Sequence, residues 1–128
     1  MATIRSYTDL SQSKALANIL PLESADMKIL PFNEEEYRIV PINDIAVCDR
    51  EDEICAWSLA ALLGVITNYG IIDLRFLQST FDNKGNHLTN VWCCTFEDIG
   101  TITLDLYADN PVDACYEIIL KLNELKLL

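Results

Sequence analysis

The spacing of apolar positions changes from segment to segment along this chain, and each change predicts an element. Leu10, Ala17 and the Leu16/Leu20 pair fall on one side of a helical wheel, with Ser11, Gln12, Ser13, Lys14 and Asn18 on the other. That period predicts a first helix beginning at Thr8 or Asp9, either of which suits an N-cap, and ending before Pro21. Leu22 to Asn33 has no regular period. Tyr37 to Val40 reads as a strand closed by Pro41, and a proline there marks a peripheral strand. Ile42 to Glu53 alternates apolar and acidic residues, most simply as a charged loop. Ala56 to Ile66 is apolar almost all round, the pattern of a buried helix.

The second half is clearer. Ile71 to Gln78 alternates, setting Ile72, Leu74 and Phe76 against Asp73 and Arg75. Asp82-Asn83-Lys84-Gly85-Asn86-His87 is turn chemistry. Leu88 to Phe96 groups Leu88, Trp92, Cys94 and Phe96, and Thr101 to Tyr107 turns Ile102, Leu104 and Leu106 inward. These three runs predict an antiparallel meander with one wet face. Asn110 as N-cap, Pro111 at the first helical position and Asp113 in the first turn predict a last helix. Its buried stripe is Val112, Cys115, Tyr116, Ile119 and Leu122, and its exposed one is Asp113, Glu117, Lys121 and Glu124, with Glu117 and Lys121 spaced as an ion pair. The expectation is one globular α+β domain over residues 1–128: a two-layer arrangement in which two to three helices cover one face of a small antiparallel sheet of three to four strands.

Composition narrows the setting. Hydrophobic residues are 51% of the 128, enough for a core, while glycine and proline number four each, too few for a long linker. The apolar run at Ala56–Thr67 is shorter than the roughly 20 residues a bilayer demands. The first residues lack the apolar core of a signal peptide, so a cytoplasmic location is expected. Five irregularly spaced cysteines fit buried free thiols better than a disulfide scaffold. The net charge of −11 disfavours direct contact with nucleic acid and favours a basic protein partner.

No segment carries a recognisable catalytic signature. His87, the one histidine, follows a turn, and a Cys/His or Ser/His/Asp mechanism would have to recruit it. Cys48 and Cys55 are seven apart without a matching second pair, so zinc is not indicated. Asp82–Asn86 lacks the ligand spacing of a calcium loop, and the dispersed glycines form no phosphate cradle. No cofactor, metal ligand or catalytic residue is assigned. The candidate interaction surface is acidic: Glu34, Glu35 and Glu36, with Asp49, Glu51, Asp52 and Glu53, would form one patch if the fold brings the two runs together.

Three phrases carry a resemblance. They are Gln12-Ser13-Lys14-Ala15-Leu16-Ala17-Asn18-Ile19-Leu20-Pro21-Leu22-Glu23-Ser24-Ala25-Asp26-Met27, Trp57-Ser58-Leu59-Ala60-Ala61-Leu62-Leu63 and Asn110-Pro111-Val112-Asp113-Ala114-Cys115-Tyr116. In this order the chain resembles short uncharacterised proteins encoded in prophages and mobile elements of Bacteroides-type gut bacteria. The resemblance implies a bacterial or phage cytoplasmic setting and brings no activity with it. Cys55-Ala56 departs from the proline and small residue expected before Trp57. The leading expectation is a non-enzymatic accessory or protein-interaction domain, binding a basic protein or associating with itself. The alternatives are an acidic DNA-mimic inhibitor of a basic nucleic-acid-binding protein, a small hydrolase-like enzyme that uses carboxylates or His87 in a pocket the sequence does not locate, and a module that presents an edge strand near Tyr37–Val40 or Ile71–Gln78.

Overall fold

Helix caps and tight turns set the frame. The computed structural model describes residues 6–31, 37–42, 53–98 and 102–128. In chain order these form α1 (Leu10–Ala17), a short 3-10 turn (Leu22–Ser24), β1 (Met27–Pro31), β2 (Tyr37–Pro41), β3 (Ile54–Ala56), α2 (Leu59–Thr67), β4 (Ile71–Phe81), β5 (His87–Asp98), β6 (Ile102–Ala108) and α3 (Pro111–Glu124). The strands make two antiparallel three-stranded sheets, ordered β2-β1-β3 and β4-β5-β6. The α+β class is as the sequence indicates, but the strands divide between two sheets.

Asp9 caps α1 in a reciprocal box. Its carboxylate accepts from the Gln12 amide N–H at 2.8 Å, and the Gln12 side chain accepts from the Asp9 N–H at 3.1 Å. Ser13, expected on the polar face, is fully buried. Its hydroxyl lies 2.8 Å from that of Thr8, which also accepts from the Trp57 N–H at 3.1 Å. Two small hydroxyls that satisfy each other and a backbone amide are tolerated inside, where a lone one would be costly.

The first sheet is where periodicity says least. β1 occupies part of the run read as irregular, and β3 lies directly after the charged loop and takes Ala56, the first residue of the expected second helix. Both are too short to display a period. β2 is peripheral, as Pro41 suggests, with Val40 opposite Lys28 in the register. Helix α2 begins only at Leu59 because Ser58 caps it, accepting from the Ala61 N–H at 3.2 Å. Ser58 is itself gripped by Asp26, whose carboxylate accepts from its N–H at 2.8 Å and from its hydroxyl. Trp57, just upstream, is fully buried, and its indole N–H donates to the Ser24 hydroxyl at 2.9 Å. Only one side of α2 is covered: Leu62, Val65 and Ile66 are buried, and Ala60 and Gly64 face out.

The second sheet follows the alternation over Ile71–Arg75, but Phe76, expected inward, is exposed, and Val91 and Cys93, on the face expected to be wet, are buried. Two of its turns depend on glycine. At Gly85 (φ +84°) the Asp82–Asn86 loop closes, with the Asp82 carboxylate accepting from the N–H groups of Lys84 and Asn86, each at 2.9 Å. At Gly70 a Cβ would lie 2.6 Å from the Glu97 carbonyl oxygen and from the Phe96 ring, so only glycine lets β4 enter beside β5. Residues Ile72, Leu74, Trp92, Leu104 and Leu106 pack against a core that includes Cys94 and Phe96. Helices α2 and α3 supply the opposing side chains, with Val112, Ala114, Cys115, Ile118, Ile119 and Leu122 buried. Tyr116 is only half-buried, and Lys121 pairs with Glu124 at 3.6 Å rather than with Glu117. One connected cluster joins Leu16 and Trp57 on the side of the first sheet to Phe96 and Leu122 on the side of the second.

Three cysteines, Cys93, Cys94 and Cys115, are buried free thiols as expected. Cys55 corrects that expectation: it is disulfide-bonded, to a partner outside the described residues. Among the described residues no helix is long and apolar enough to cross a membrane.

Candidate functional site

A hollow lies where α1, the end of β6 and the start of α3 converge. Its volume is about 570 Å3, and Asp9, Gln12, Asp109, Asp113 and Glu117 supply its polar lining over a floor that includes Leu106 and Ala108. Local sequence places each of these groups for its own reason. Asp9 is the α1 cap, Asp113 sits at the third position of α3, Glu117 is one turn further along α3, and Asp109 precedes the Asn110 cap. The tertiary fold turns both helix starts to the same hollow.

Hydrogen bonds hold part of this lining rigid. The Gln12 amide donates to Asp113 Oδ1 at 2.6 Å, linking residues 101 positions apart. Asn110 donates its side-chain N–H to Asp113 Oδ2 at 2.7 Å and accepts the Asp113 backbone N–H at 2.9 Å. Asp113 is therefore a fixed carboxylate with both oxygens engaged, whereas Asp109 and Glu117 are exposed at the rim. Tyr116 senses the local field: burial raises its phenol above the ordinary value, and the nearby Glu117 and Asp9 carboxylates raise it further.

The acidic surface expected from sequence falls largely outside the described residues. Glu34, Glu35, Glu36, Asp49, Glu51 and Asp52 lie outside the described residues. Glu53 is described, and it meets Lys28 Nζ at 3.6 Å. Of the cleft carboxylates, the sequence marks Asp9 as a cap, Asp113 as a first-turn acid and Glu117 as part of an exposed helix face, and gives no signal for Asp109. Their convergence had no local signal.

His87 sits at the base of the β4–β5 turn, exposed, with its Nε2 2.7 Å from the Ser79 hydroxyl and its ring 5.1 Å from that of Phe81. Cys93, on the same strand, is buried away from it. The two thiols that do meet, Cys94 and Cys115, are 4.0 Å apart in the core. The contact with Cys115 and burial both raise the Cys94 thiol far above its ordinary range, so it stays protonated. Among the described residues no cluster of three or more His, Cys, Asp or Glu side chains has the arrangement of a metal site. No family model, curated protein or solved structure matches the chain.

Proposed function

We propose that this chain is a non-enzymatic protein-interaction domain, an accessory protein of phage or mobile-element origin, which receives a basic side chain of its partner in the cleft between α1, β6 and α3. The observation that carries the reading is the lining itself: four carboxylates and no Lys, Arg or His among the described residues. Desolvating an arginine or lysine is costly unless opposite charge and hydrogen-bond acceptors receive it, and this hollow offers both. The overall charge of −11 adds long-range attraction for a cationic partner and raises the rate of encounter.

The test uses a fluorescently labelled oligo-arginine peptide and anisotropy at low and high salt. Double neutralisation of the rim, Asp109→Asn with Glu117→Gln, is compared with an equal loss of charge outside the cleft, Glu23→Gln with Glu97→Gln. The cleft pair is expected to weaken binding by about tenfold and the control pair by no more than about twofold, with affinity falling as salt rises. Equal effects of the two pairs, or binding indifferent to salt, would overturn the cleft as the recognition site.

A further inference from the structure

We propose that two copies of this chain join through the outer edges of their β4 strands, antiparallel about a two-fold axis at Leu74, giving one continuous six-stranded sheet. This surface is independent of the acidic cleft, because β4 and β6 are opposite edges of the second sheet.

The edges in the two sheets are not alike. β2 has five residues and ends in proline, β3 has three, and β6 has seven. β4 has eleven, with neither proline nor lysine, and no described strand pairs with its outer side. Long, apolar, unprotected edges are what soluble proteins avoid unless the edge has a partner. Three large apolar side chains on β4 are open to solvent, Ile71 at 63%, Phe76 at 49% and Phe81 at 63%.

Its sequence identifies that partner as a second β4. Ile71-Ile72-Asp73-Leu74-Arg75-Phe76-Leu77 is complementary to itself when reversed. With Leu74 opposite Leu74 of the other copy, Asp73 faces Arg75, Ile72 faces Phe76 and Ile71 faces Leu77, each pair occurring twice by symmetry. Every opposition is apolar with apolar or acid with base, and cross-strand pairs of both kinds stabilise antiparallel sheets. A shift by one residue would set side chains of different character against each other and lose this match. Asp73 and Arg75 already meet within one chain at 3.1 Å, both more than half exposed, so pairing closes a ring of four alternating charges. One acid and one base leave β4 neutral in a chain of net charge −11, so two copies approach here without local repulsion. The ladder with β5 is interrupted directly after this run and resumes at Ser79. Beyond Leu77, Gln78 and Asn90 oppose each other without pairing, and Asn90 has φ +53°.

Sedimentation equilibrium from about 1 μM to about 1 mM tests this, reading mass against the 14.5 kDa chain. The wild type is expected to reach twice that mass. Asp73→Arg alone and Arg75→Asp alone place like charges across the axis and should each weaken the dimer about tenfold or more. The two single variants mixed in equal amounts should associate as a heterodimer. The double exchange, Asp73→Arg with Arg75→Asp in one chain, should associate with itself again, since the pairs are merely reversed. Both side chains are exposed, and unchanged far-UV circular dichroism checks the fold of each variant. A wild type that stays monomeric throughout, or single variants that dimerise as tightly as the wild type, would overturn the interface. Failure of both rescue combinations would overturn this register.

Discussion

Replacing Asn110 by alanine removes two hydrogen bonds at the start of α3. The first is the cap itself, 2.9 Å from the Asp113 N–H, and such a loss costs about 1 kcal/mol. The second is the bond donated to the Asp113 carboxylate at 2.7 Å. A bond to a charged acceptor is worth about 1.5–3 kcal/mol when buried, and about 1 kcal/mol is appropriate here because Asp113 is part-exposed and keeps Gln12. Together the loss is about 2 kcal/mol. At about 2.1 cal/mol/K per residue, a chain of 128 residues has an unfolding entropy near 0.27 kcal/mol/K, so Tm falls by about 7 °C. Urea unfolding followed by tryptophan fluorescence reads the free energy, with the m-value unchanged if the denatured ensemble is unaffected. Asn110→Ser retains a capping acceptor but not the amide donor, and should recover about half of the loss. A change below about 0.5 kcal/mol for alanine, or a serine variant as damaged as the alanine one, would refute this account of α3.

The remaining predictions concern glycines, thiols and one turn. Gly64→Ala, in an exposed helix position with no atom within 4 Å of the new Cβ, should stabilise by up to about 1 kcal/mol, whereas Gly70→Ala, which meets Glu97 and Phe96, should destabilise by about 1–3 kcal/mol in the same urea assay. Equal effects of the two would contradict the close approach of β4 and β5. Cys94 should resist iodoacetamide in the native protein at pH 8 and react once denatured, as mass spectrometry of the alkylated peptides will show; rapid native labelling would contradict its burial against Cys115. The Asn86 backbone N–H, foremost among its bonds, holds the Asp82 carboxyl below its ordinary value. The turn's added stability is then present above the unfolded-state value and lost as pH falls through the lower folded one. The Lys84 and Asn86 amide resonances should titrate with a midpoint below that of an ordinary aspartate, and a midpoint at or above it would remove this turn from the account.

Local sequence determined those parts of the molecule whose causes are local. The Asp9 box, the Asn110-Pro111 start of α3 and the Asp82–Asn86 turn each satisfy their backbone groups within a few residues, so a short window contains the whole reason for them. Alternation over Ile71–Gln78 and its two successors is also legible as strand, because a half-buried strand repeats every second residue over a long enough run. Tertiary structure alone decided the rest. β1 and β3, of five and three residues, become strands because neighbours from elsewhere in the chain receive their hydrogen bonds. Ser13 is inside because Thr8 meets its hydroxyl, against the polar reading of its helix face. The acidic cleft exists because Gln12 and Asp113, 101 residues apart, bond across it and turn two capped helix starts to one hollow. Charge and hydrogen-bonding capacity are properties of residues, but a site is a property of distances, and those are set only when the core closes.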